Sequence, residues 1–299
     1  MRVFIAGATG WIGSAVTDEL LSHGYEVVGL ARSEQAAAKL KAKGAIVYRG
    51  DLDDLDSLAT GAAATDAVIH LAFKHDFTDY AAAGRTEHAA VDRMLRTLAD
   101  SGRPFLLAAG MAIGVSGRPL AEQDASPHHG PDSLRGGSEN LALAYADHGV
   151  NSVVLRFPPS VHGIGDPGFV AALTKIAKDR GAAGYIGDGT NRWAAVHRSD
   201  AARLVRLALE KAPAGTRVHA VAEEGLPTRE LAAAIGAYHE LPVRSVPPAD
   251  AETHFGWMAR FFGADIAATS ATTRELLGWT PTGPTLFEDI AAGGYPLPA

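Results

Sequence analysis

Short apolar runs alternate with helix-period stretches from Arg2 to about Arg156, and this alternation predicts repeated βαβ units built around a doubly wound parallel sheet. The runs are RVFIA (Arg2 to Ala6), YEVVGLA (Tyr25 to Ala31), AIVY (Ala45 to Tyr48), DAVIHLA (Asp66 to Ala72), PFLLAA (Pro104 to Ala109) and SVVLRF (Ser152 to Phe157). Between them, Trp11 to His23 and Gln35 to Lys43 read as helices, the second closed by Gly44. Val91, Met94, Leu95 and Leu98 recur at the spacing of one helix face, which must pack on the sheet or on a partner helix. After Phe157 the rhythm breaks at PPSVHGIGDPG, and a smaller α/β region follows. Phe169 to Lys178, Ser199 to Glu210 (with Ser199 as N-cap), Thr228 to His239 and Ala271 to Leu277 read as helices there. RVHAV (Arg217 to Val221) reads as a strand placed to return to the main sheet. The expected division is 1–157 for the sheet domain and 158–299 mainly for substrate.

The motif GATGWIG sets Gly7, Gly10 and Gly13 between the first strand and the first helix. Glycines there let main-chain amides and the positive end of a helix approach a pyrophosphate, so the first βα turn of a Rossmann-type sheet becomes a dinucleotide site. The GxxGxxG spacing resembles the extended short-chain dehydrogenase/reductase family, also described as the NAD-dependent epimerase/dehydratase type. VIHLA before Ala72, GDLDD (Gly50 to Asp54), LRFPPSVHG (Leu155 to Gly163) and HRSDAARL (His197 to Leu204) fall where that family carries its fourth-strand, adenine-side, nicotinamide-side and second-domain segments. The resemblance implies that Gly7, Thr9, Gly10, Trp11, Ile12, Gly13, Asp51, Leu52, Ala72, Phe73 and Ser160 line the cofactor. For Asp51, a helix N-cap is the competing role. The second strand ends Leu30, Ala31, Arg32 with no acid before Glu34, so Arg32 is placed to pair with a 2′-phosphate and NADP(H) is preferred over NAD(H).

The same resemblance implies a Ser or Thr after the fifth strand and a Tyr four residues before a Lys. A lysine near a tyrosine lowers the phenol pKa and suits it to proton exchange. None of the seven tyrosines has a lysine four residues on. Anchored on Glu139, the three positions fall at about Gly110, Pro131 and Arg135. Arg135 preserves the charge but holds its proton. Proton donors must come from the nearby loops, with His75 the first choice and His128 the second. Trp193, Trp257, Phe261 and Phe262 suit an apolar or ring-bearing substrate, with core packing as the competing reading.

These residues point to an NADP(H)-dependent oxidoreductase acting on a carbonyl, imine or activated alkene of a small molecule, without the usual Ser/Tyr/Lys set. A non-catalytic dinucleotide sensor and a lyase or isomerase using the same pocket are the alternatives. With 34 acidic against 27 basic side chains, the chain offers no broad surface to nucleic acid. It has no cysteine and no 18-residue apolar run, so a cytoplasmic protein without a membrane span is expected. No HExxH occurs, and the His128–His129 doublet lacks a third ligand at metal spacing, so no metal site is expected. Helices over about Arg85 to Asp100 and Ser133 to Asp147 are those through which the resemblance implies a homodimer, a monomer being the alternative.

Overall fold

A computed structural model describes residues 1–74, 79–111 and 117–296. In chain order the first half reads β1 (Arg2–Ala6), α1 (Trp11–Ser22), β2 (Glu26–Ala31), α2 (Glu34–Lys43), β3 (Ile46–Arg49), α3 (Leu55–Ala63), β4 (Ala67–His70), α4 (Tyr80–Leu98), β5 (Pro104–Gly110), α5 (Ser138–Ala144) and β6 (Asn151–Phe157). The second half reads β7 (Ser160–His162), α6 (Phe169–Arg180), β8 (Ala183–Ile186), β9 (Arg192–His197), α7 (Arg198–Lys211), β10 (Thr216–His219), β11 (Glu223–Pro227), α8 (Thr228–His239), β12 (Val243–Val246), α9 (Ala251–Phe255), α10 (Ala259–Phe262), α11 (Ala271–Leu277) and α12 (Leu286–Ala291).

The main sheet has the order β10-β6-β5-β4-β1-β2-β3, and every pair in it is parallel. Because a strand turns alternate side chains to opposite faces, Val3 and Ile5 enter the core with Val16, Leu20 and Val205, while Phe4 and Ala6 enter the other with Leu58, Val91 and Met94. The chain winds outward from β1 to β3 and then returns to β4 on the other side. This reversal between β1 and β4 opens a crevice beyond their carboxyl ends.

As expected, RVHAV supplies the strand that rejoins the main sheet, as β10 beside β6. Helix α7 packs against α1, with Arg206 Nε 2.8 Å from Glu19, so this stretch of the second half also belongs to the first layer. The rest forms its own core around Trp193, Phe255, Phe262, Leu286 and Ile290, under two small sheets, β11-β9-β7 and β12-β8. One cap differs from the sequence expectation. His197, not Ser199, precedes α7, and its ring Nδ1 accepts from the Ser199 amide at 3.3 Å, an acceptor the sequence rule reserves for short oxygen-bearing side chains. Among the described residues, no helix is long and apolar enough to cross a membrane.

Candidate functional site

The glycine turn lies at the crevice. Gly7 has φ +90°, and a Cβ there would sit 2.7 Å from the Ala72 nitrogen, so the turn leans directly on the end of β4. A Cβ on Gly13 would fall 2.0 Å from the Gly7 carbonyl oxygen, which makes this glycine the condition for α1 to start so close to β1. Gly10 is different. A Cβ on it would meet only the Gly7 oxygen, at 3.3 Å, and no side chain caps the helix there. The first-turn amides of Trp11, Ile12 and Gly13 have no partner within the helix, and with the helix dipole they suit an anion. Thr9 is half-buried beside them and Gly10 is exposed.

The Trp11 side chain turns the other way. Its indole Nε1 donates to the Val161 carbonyl at 2.7 Å, and the Arg198 guanidinium lies 4.1 Å over its ring. The turn is thereby tied to β7, where the hydroxyl of Ser160 is buried with no hydrogen-bond partner.

At the end of β2, Arg32 is exposed, and among the described residues no carboxylate pairs with it. Glu34, the nearest acid in sequence, is engaged 2.5 Å from Arg49. Beyond β3, Asp51 accepts from the Asp53 amide at 3.0 Å within the loop, and Leu52 packs on the core. The N-cap of α3 is Asp54, which accepts from Ser57, so the competing role considered for Asp51 falls to its neighbour. Lys74 Nζ reaches both oxygens of Asp53, at 2.6 and 2.7 Å, and pins this loop to the end of β4.

Arg135 is the centre of the second part of the site. It has φ +51° and is followed by Gly136 and Gly137 at +60° and +59°. Left-handed backbone at a non-glycine residue is costly and persists only where packing enforces it. The enforcing contact is visible: a Cβ on Gly136 would lie 2.2 Å from the Gly84 oxygen, so the turn is pressed backbone to backbone on α4. Glu87, one turn further along α4, then receives Arg135 Nε at 3.1 Å and also Nη2. Burial pushes the Glu87 carboxyl up while Arg135 acts against it. Burial also opposes the guanidinium's charge, but Glu87 outweighs it and holds Arg135 protonated.

The remaining nitrogen, Nη1, faces Gly110, where a Cβ would lie 3.9 Å from it and meet nothing else within 4 Å. The position that the resemblance gives to a serine is therefore open space beside a cation. A small cleft extends from this point, walled by Ala109, Gly110, Ser126, His128, Arg135 and Ser138. The structure thus brings Arg135 and His128 together, the latter held through its carbonyl by Asn140 at 2.7 Å. Pro131 is exposed on the adjoining turn. His75 lies outside the described residues.

Phe73 carries Arg135 on its face at 4.3 Å and packs against Tyr80 at 5.4 Å. Burial raises the Tyr80 phenol's pKa, with Arg135's charge acting the other way. Of the four aromatics singled out in the second region, Trp193 and Phe262 are core, Trp257 is 48% exposed and Phe261 is half-buried.

One group escaped sequence reasoning. His70 closes β4, fully buried, with neither ring nitrogen partnered, and burial together with the Arg135 charge lowers its pKa to about 3. His162 is also fully buried, its Nδ1 2.6 Å from Asp289 and its Nε2 3.4 Å from Glu223. Both histidines sit inside segments already recognised, VIHLA and PPSVHG, and the carboxylates that His162 meets are remote in the chain.

Comparison with known proteins agrees with this geometry. A sequence model of the NAD dependent epimerase/dehydratase family matches residues 3–221. An uncharacterized protein of Saccharomyces cerevisiae is 46% identical over 294 residues, covering 98% of each chain. A 2-alkyl-3-oxoalkanoate reductase of Stenotrophomonas maltophilia is 28% identical over 79% of this chain and 76% of its own. Among solved structures, the dTDP-glucose 4,6-dehydratase DesIV of Streptomyces venezuelae, crystallised with NAD, superposes with a TM-score of 0.78 at 21% identity, over 98% of this chain and 96% of that one.

Proposed function

The chain belongs to the NAD dependent epimerase/dehydratase family, and on that premise we propose that it is an NADP(H)-dependent oxidoreductase acting on a carbonyl, imine or activated alkene of a small molecule. The residues present fit a dinucleotide: the uncapped start of α1, the open face of Gly10 and the unpartnered Ser160 hydroxyl all await polar partners. Thr9, Gly10, Trp11, Ile12 and Gly13 would hold the pyrophosphate, with Gly7 shaping their turn. Arg32 would pair with a 2′-phosphate, Asp51 and Leu52 would border the adenine, and Ala72, Phe73 and Ser160 the nicotinamide. When bound, the cofactor supplies or accepts the hydride.

One observation carries the reading: Arg135 aims a free N–H edge into the open space beside Gly110. A substrate oxygen there would be stabilised as it gains negative charge, by a donor that two bonds to Glu87 already hold in place. The guanidinium keeps its proton at accessible pH. His128, in the same cleft, is the group that would deliver one. The S. maltophilia reductase gives this reading distant support.

The absence of a side chain at Gly110 and of a tyrosine at Pro131 favours a second reading, a dinucleotide-binding sensor that performs no reaction. The test is to titrate the protein with NADPH and then follow its absorbance across ketones, imines and enones. Turnover that Arg135→Met abolishes supports the reductase. Tight NADPH binding with no oxidation by any of these acceptors supports the sensor.

A further inference from the structure

Helices α1 and α7 lie side by side and run the same way. Trp11 meets Arg198 at their first residues, and eight positions further along each helix Glu19 meets Arg206. Both positive helix ends therefore open at the glycine turn, and Arg198 adds a full positive charge to them. Its guanidinium lies over the Trp11 ring, 4.1 Å from the ring centre. A Cβ on Gly163 would lie 3.4 Å from Trp11 Cζ2 and 3.6 Å from Arg198 Cβ, so the chain leaving β7 closes tightly on this pair.

No carboxylate answers that charge. The guanidinium makes no hydrogen bond or ion pair among the described residues, and its Nε is buried without a partner. The first turn of α1 carries no acid. Asp200, the acid in the first turn of α7, is engaged by Arg203 and by the amides of Thr282 and Gly283. Asp18 and Asp166, whose charges act on Arg198, are held by Lys43 at 2.5 Å and by the Tyr295 hydroxyl at 2.8 Å. Burial outweighs both and pulls the guanidinium below its ordinary pKa. A partly buried, unpaired cation at a helix N-terminus is a destabilising arrangement, and an anion seated at the same place removes the penalty.

We propose that Arg198 is a diphosphate-binding residue: when a dinucleotide seats on the first turn of α1, this guanidinium bonds a phosphate oxygen from the side of the second region. The proposal extends the dinucleotide reading above and rests on it. The linkage it grips is common to NADPH and NADH, so Arg198 raises the affinity for both, whereas Arg32 at the end of β2 would separate them. Because Arg198 begins a helix of the second half, the ligand itself joins the two halves of the chain.

The experiment is calorimetry on the full chain with NADPH, NADH, ADP-ribose and 2′-AMP, the last lacking the diphosphate. Arg198→Met keeps an unbranched stem over Trp11 and removes the charge. It is expected to weaken NADPH, NADH and ADP-ribose alike by about tenfold, to leave 2′-AMP unchanged and to flatten the salt dependence of binding. Arg198→Lys restores a charge without the planar fork and is expected to recover part of the loss. In thermal unfolding without ligand, Arg198→Met is expected to melt at or above the native temperature, since it relieves an unanswered charge at a helix start. Undiminished ADP-ribose binding by Arg198→Met overturns the proposal and leaves dinucleotide binding standing. An equal loss for 2′-AMP, or a lowered melting temperature in both variants, assigns Arg198 to packing and overturns it as well. A native chain that binds none of NADPH, NADH and ADP-ribose removes the dinucleotide reading and this proposal together.

Discussion

Acidification tests the burial of His70 directly. The ring is fully buried at the end of β4 with neither nitrogen partnered, and its pKa is lowered from an ordinary 6.5 to about 3. A histidine whose folded pKa is depressed binds its proton more readily in the unfolded chain, so folding stability falls as pH drops from about 6.5 towards 3 and is fully present above that window. The full depression corresponds to roughly 5 kcal/mol as a ceiling. At pH 5 the same linkage gives a loss of about 2 kcal/mol relative to pH 8. The assay is urea unfolding followed by tryptophan fluorescence at pH 5, 6, 7 and 8, for the native chain and for His70→Leu. Leucine removes two orphaned polar atoms, so at pH 8 the variant is expected within about 1 kcal/mol of the native chain. Its stability is expected to fall about 2 kcal/mol less between pH 8 and pH 5. His219, likewise lowered to about 4, contributes equally to both proteins and cancels in the difference. Parallel pH profiles would refute the argument, because they require a His70 that protonates in the folded state at no cost.

Three further outcomes follow from the site. Gly13→Ala places a methyl 2.0 Å from the Gly7 oxygen and is expected to cost about 3 kcal/mol of stability, whereas Gly10→Ala folds normally and loses NADPH affinity in calorimetry. Arg32→Ala is expected to weaken NADPH by about 1–3 kcal/mol and leave NADH unchanged, and equal losses for both would remove Arg32 from the phosphate site. Glu87→Leu strands a partly buried cation and is expected to cost about 2–3 kcal/mol in urea unfolding, with Arg135→Met added in the same chain recovering most of it.

The first half of the fold was legible because its signals are local. Buried parallel strands read as apolar runs, and β1, β5 and β6 lie within a residue of the runs seen in sequence. The short strands β7, β8, β9, β11 and β12 were not seen, since segments of three to six residues are fixed by partners far along the chain. Helix α3 was missed too, with Gly61 in it pressed against the Phe4 ring and Asp54 as its only clear starting signal. The site divides the same way. The glycine turn spans seven residues and reads directly, but Arg135 meets Glu87 across 48 positions and His162 meets Asp289 across 127, pairings no spacing rule contains.

The indole of Trp11 stands at the threshold of the glycine turn while its nitrogen grips the carbonyl at the centre of β7. A pull on the first turn of α1 is therefore transmitted, through one side chain, to the strand that leads into His162 and on to Ile164. The chain uses the residue just beyond Gly10 as a mechanical tie-rod, so the seating of whatever the turn grasps and the position of β7 are adjusted together.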